Sequence, residues 1–140
     1  TPNPSPGGRG GPDFKDVPAR HWAAKYIAQA VSEGIVKGYA GKLFKPNGLV
    51  SRAEGVAVIA RFAKLPEPTV LETPFTDIPG RHWAFREITS AKQAGLLKYL
   101  EDKPFEPGKS LTRAEVAEIL SKTAILSERI SRIMDFEGGK

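Results

Sequence analysis

Two four-residue stretches carry the side chains best suited to holding an anion. They are Ser51-Arg52-Ala53-Glu54 and, 61 residues later, Thr112-Arg113-Ala114-Glu115. A hydroxyl residue followed three positions on by glutamate is a capping box: the hydroxyl accepts from the N3 amide and the glutamate reaches back to the N-cap amide. Capping does not explain the arginine at the first helical position, because the helix dipole already places partial positive charge at that end. A hydroxyl, first-turn amides and a guanidinium fork together suit a carboxylate or a phosphate. The competing reading is a capped helix whose arginine pairs with a nearby aspartate.

Other chemistries find few residues. The chain has no cysteine, and its two histidines lack metal-ligand spacing, so no metal site and no cofactor is expected. Glu54 and Glu115 are absorbed by the caps. No serine, histidine and aspartate set carries an elbow motif, and no glycine-rich phosphate loop precedes a helix, so the chain does not read as an enzyme. A net charge of +5 favours an anionic partner. Nucleic acid is disfavoured because lysines and arginines are interleaved with glutamates and not gathered on one helix face. No apolar run approaches ~18 residues, so no direct membrane insertion is expected, and the opening residues do not read as a signal peptide.

The elements that must position these stretches follow from periodicity. Residues 1–12 are almost wholly Pro, Gly, Ser and Asn and read as a flexible lead-in. From Arg20 to Glu33 the residues Trp22, Ala23, Tyr26, Ile27, Ala30 and Val31 fall at helical spacing, with Gly34 placed to end the helix. The glycine-punctuated stretch Ile35 to Gly48 reads as a loop with isolated strand pairing. A second helix starts at the capping box and presents Val56, Ile59, Ala60 and Phe62 or Ala63 on one side. Lys64 to Pro74 holds three prolines and reads as an extended linker.

The pattern then restarts without a gap. Phe14 aligns with Phe75, Asp16 with Asp77, His21 with His82, Trp22 with Trp83, Gly34 with Gly95, Phe44 with Phe105 and Arg52 with Arg113. So many matches at one offset mark a tandem repeat. A unit of about 55 residues cannot cover its own apolar face, so neighbours must share a core. The expected fold is all-α, with tandem helix–loop–helix repeats packed into a shared helical bundle and a long C-terminal helix. Its divisions are a lead-in at 1–12, repeats at 13–65 and 75–124, a linker at 66–74 and a helical extension at 125–140. Val116, Ile119, Thr123, Leu126, Ile130 and Ile133 continue at spacings of three and four, a short heptad seam that could begin a coiled coil. Glu137 to Lys140 reads as a frayed end.

Phe-x-Asp-Val-Pro, His-Trp-Ala, Gly-Ile-x-x-Gly-Tyr, Phe-x-Pro and Ser-Arg-Ala-Glu, in that order, make each copy resemble the S-layer homology module. The resemblance covers Phe14 to Lys64 and Phe75 to Ala124. It implies non-covalent anchoring of a secreted protein at the cell wall, S-layer or outer-membrane–peptidoglycan interface. The implied partner is an acidic cell-wall polysaccharide linked to peptidoglycan, often bearing a pyruvate ketal. It also implies glycan-binding roles for Asp16, Trp22, Ser51 and Arg52, and for Asp77, Trp83, Thr112 and Arg113. By their own spacing beside alanine and isoleucine, Trp22 and Trp83 read instead as core residues, and His21 and His82 as structural. Two departures from the family stand out. Gly38-Tyr39 becomes Tyr99-Leu100 in the second copy, and there are two repeats where wall-anchoring members typically carry three. The second departure makes self-association as an oligomerisation or scaffold module the alternative function.

Overall fold

The computed structural model describes residues 14–69 and 72–138, so the lead-in at 1–12 and the last two residues lie outside the described chain. Among the described residues five helices follow one another: α1 (Ala24–Ser32), α2 (Arg52–Phe62), α3 (Phe85–Gln93), α4 (Arg113–Ser121) and α5 (Ala124–Gly138). A 3-10 turn at Lys98–Leu100 lies between α3 and α4. Among the described residues no strand forms. Pairing is confined to two isolated antiparallel bridges, Tyr39 with Leu43 and Ser51 with Ser110. The all-α class is therefore observed. The chain divides into two compact units, one ending at Gly48 and one beginning at Leu49.

In the first unit, the Phe14 and Phe44 rings meet at 5.2 Å between centroids, tilted by 52°. The Gly38 backbone packs so close to them that a Cβ there would lie 2.2 Å from the Phe14 ring and 2.8 Å from the Leu43 carbonyl oxygen. Only glycine fits that approach. Helix α1 starts at Ala24 and not at Arg20, because the chain from Pro18 first makes a pair of turns, His21 N–H to Pro18 O and Ala24 N–H to His21 O. Its end matches expectation. Gly34 takes φ +75°, with Gly34 N–H donating to Val31 O and Ile35 N–H to Ala30 O, the paired bonds of a Schellman cap.

In the second unit, α2 packs against α3, and the core gathers Val56, Ala57 and Ile59 of α2 with Phe85, Ile88 and Ala91 of α3. Phe75, Ile78, Leu96, Leu97, Leu100, Phe105 and Ile119 complete it. Phe105, Ile78, Ile88, Leu96, Ile119 and Val56 are fully buried, each worth about 1.5–3 kcal/mol relative to exposure. Of the two residues expected to continue the inner face of α2, Ala63 is half-buried and Phe62 is exposed, and Ala53 and Ala57 are buried as well. Small residues there let α3 approach closely. The Phe75–Phe105 pair repeats the first unit's geometry at 5.2 Å and 49°.

The proline-rich segment is tied to α3. Ser90 Oγ donates to Pro66 O, Thr69 N–H to Gln93 Oε1 and Lys92 Nζ to Pro74 O. Thr123 interrupts the heptad seam. Helix α4 is capped at Lys122, the buried Thr123 donates its hydroxyl to Leu120 O, and α5 restarts at Ala124. A hydroxyl that bonds the local backbone competes with the helix ladder. Glu137 and Gly138 belong to α5 and are not a frayed end.

Candidate functional site

The aspartates near the start of each copy are consumed by the backbone. Asp16 accepts from the Phe44 and Lys45 amides at 2.9 and 2.7 Å, and Asp77 from the Phe105 and Glu106 amides at 2.9 and 2.8 Å. Both carboxyls lie below their ordinary range. For Asp16 the Phe44 amide is the main cause; for Asp77 burial pushes upward and the two amides outweigh it. Each aspartate thereby fixes the loop that carries Phe-x-Pro, a pairing 28 residues apart in both copies.

The tryptophans are on the surface, against the core reading. Trp22 is 80% and Trp83 58% exposed. Each faces the histidine before it, His21–Trp22 at 5.9 Å and 27°, His82–Trp83 at 5.7 Å and 28°. The histidine is in turn fixed, because Nδ1 of His21 accepts from the Ala23 amide and Nδ1 of His82 from the Ala84 amide, both at 3.0 Å. That bond requires the tautomer protonated at Nε2. Helical spacing places a side chain on a face; here Ala23 and Ile27, and Ala84 and Ile88, turn inward and leave the indoles outside.

Both capping boxes form. Ser51 Oγ accepts from Glu54 N–H and Thr112 Oγ1 from Glu115 N–H, each at 3.1 Å, while both glutamates return a carboxylate oxygen to the cap amide. Beyond the caps the two copies diverge. At α2 Arg52 is 4% exposed; Nε donates to Glu115 Oε2 at 2.7 Å and Nη1 to the Phe105 carbonyl at 2.5 Å. The Arg52 and Ala53 amides donate to Lys109 O and Pro107 O. The expected pairing with an aspartate is thus a pairing with Glu115 of the other copy. At α4, Arg113 is exposed, and among the described residues neither its side chain nor the Arg113 and Ala114 amides meet a protein partner.

From the sequence, Glu115 has a capping role only and Tyr99 has no role at all. Glu115 serves the cap with Oε1 and Arg52 with Oε2, and Oε2 also accepts from the Tyr99 hydroxyl at 2.7 Å. Burial pushes the Glu115 carboxyl up, but the bonds from Arg52 and Tyr99 outweigh it and leave it lowered. The Tyr99 phenol is raised by burial and by that carboxylate. The one available signal for Tyr99 was the replacement of Gly38 at the repeat offset. A cleft of about 210 Å³ opens at the other end of α2, where Glu67 and Glu87 offset two of its three cations, Arg61, Lys64 and Arg86. No acidic or histidine cluster fit for a metal occurs among the described residues.

The S-layer homology domain model matches residues 13–54 and 74–117, more than half of the chain. The chain belongs to the S-layer homology domain family. Its S-layer homology repeats are 39% identical over 75 residues to the cellulosome-anchoring protein of Acetivibrio thermocellus, covering 54% of this chain and 17% of that protein. They are 31% identical over 127 residues to the S-layer protein sap of Bacillus anthracis, covering 91% and 15%. An amylopullulanase of Thermoanaerobacterium thermosulfurigenes is 32% identical over 107 residues, covering 76% and 5%. The chain spans less than a fifth of the length of each of these relatives.

Proposed function

We propose that this chain is a non-covalent anchoring module that holds a secreted protein to the cell envelope by binding an acidic cell-wall polysaccharide linked to peptidoglycan. The recognised group in this reading is the carboxylate of a pyruvate ketal. The observation that carries it is Arg113: a solvent-facing guanidinium at a helix start whose first two amides have no protein partner, next to the capped Thr112. A fork of this kind accepts a carboxylate in two parallel bonds. Trp22 and Trp83, exposed and each stacked on one side against its histidine, offer their other apolar face to sugar rings. Relatives named for cellulosome anchoring and for the S-layer support the cell-surface role. An enzyme among the relatives fits a module that travels beside catalytic domains and contributes none of the chemistry.

Calorimetric titration with acidic cell-wall polymer tests the reading. Arg113→Ala is expected to weaken binding by about 10- to 150-fold, the worth of a charged hydrogen-bonded contact. Undiminished affinity in that variant would reject Arg113 as the anion contact. The alternative, an oligomerisation module, draws on exposed Ile125, Ile133 and Met134 of α5. A monomer in sedimentation at high concentration would reject it.

A further inference from the structure

We infer that the first arginine motif is a clamp closed to ligand, and that Tyr99 is the residue that positions it. The first-turn amides at the start of α2 and two of the three guanidinium nitrogens of Arg52 are already spent inside the protein. The Arg52 amide goes to Lys109 O, the Ala53 amide to Pro107 O, the Glu54 amide to Ser51 Oγ, and the guanidinium to Glu115 and Phe105 O. The guanidinium also lies over the Phe105 ring, 5.9 Å from its centroid. Arg52 as a whole is 4% exposed, so what remains of its guanidinium is almost wholly shielded from solvent. A carboxylate taking over the Nε and Nη1 donors of Arg52 would have to displace a buried one and strip Phe105 O of its partner.

The neighbouring residues are shaped to this closure. Gly55 sits one turn into α2, where a Cβ would fall 2.2 Å from Leu111 Cδ2, so its absence lets the 109–111 stretch lie against the helix start. Val50 O accepts from the Leu111 amide along the same seam. At the repeat offset the second copy has Val116 in place of Gly55 and Glu118 in place of the buried Ala57. Helix α4 therefore cannot make the contact that closes α2. Tyr99 completes the clamp. The 3-10 turn at Lys98–Leu100 brings its hydroxyl to the Glu115 oxygen that Arg52 uses, where the first copy has Gly38 packed on Phe14. The loss of that glycine is thus the gain of a third member for the Arg52–Glu115 pair.

This inference rests on the proposed glycan reading only for the ligand used to test it. Nitrogen-15 NMR of the whole chain resolves the arginine Nε–H groups without any variant. Adding purified polymer that bears pyruvate ketals is expected to shift the Arg113 signal and leave the Arg52 signal in place. A shift at Arg52 on titration would overturn the clamp. If no signal moves, the glycan reading fails, and solvent exchange still decides the clamp: Arg52 Nε–H must exchange far more slowly than Arg113 Nε–H, and equal rates would sink it. Tyr99→Phe is expected to speed exchange at Arg52 Nε–H while the chain stays folded. An unchanged Arg52 rate would remove Tyr99 from the positioning role.

Discussion

At the scale of single residues, the same side-chain types do different work according to what surrounds them. Asp16 and Asp77 look like sugar ligands by motif, yet each spends both carboxylate oxygens on two loop amides. Asp77→Ala should lower stability by about 1–2 kcal/mol, read by urea unfolding, because it strands two amides at once. Removing the second cap with Thr112→Ala should cost about 1 kcal/mol. The sign of the acid response follows from the lowered carboxyls. Asp16, Asp77 and Glu115 stabilise the fold above their ordinary values of 3.8 and 4.5, and that contribution is lost as pH falls through their lower folded values. Thermal melts from about pH 6 down to about pH 2 should show the loss, smaller in Asp77→Asn.

At the scale of elements, the repeat offset and both capping boxes were legible because they depend on residue types at fixed spacing. The C′ glycines Gly34 and Gly95, at φ +75° and +83°, were placed by the same logic. What spacing could not decide was which helical face is covered. Trp22 and Phe62 sit at helical spacing with buried residues and still face solvent, because the core is set by partners distant in sequence. The Arg52–Glu115 pair was illegible for a related reason: it joins residues 63 apart, and both already had a local role in a cap. Two substitutions probe this level. Gly38→Ala should destabilise the first unit by roughly 1–3 kcal/mol, since the Leu43 carbonyl it would strike is backbone. Lys64 ends α2 at φ +53°, a conformation that costs a side-chain-bearing residue about 1–2 kcal/mol, so Lys64→Gly should stabilise the chain in chemical denaturation.

For the whole molecule, the relation between fold and function is one of division of labour between two copies of one motif. The first copy closes on the second copy's glutamate, and the second presents its arginine to solvent. A chain of net charge +5 then adds general attraction to an acidic polymer, screened as salt rises. Specific recognition must survive that screening. The most direct measurement is calorimetric titration of the chain with acidic cell-wall polymer at physiological salt, before and after chemical removal of its pyruvate ketals. Recognition of the pyruvate carboxylate requires binding to disappear with the ketals. Binding that persists at equal strength without them would contradict it and move recognition to the sugar ring or to bulk charge.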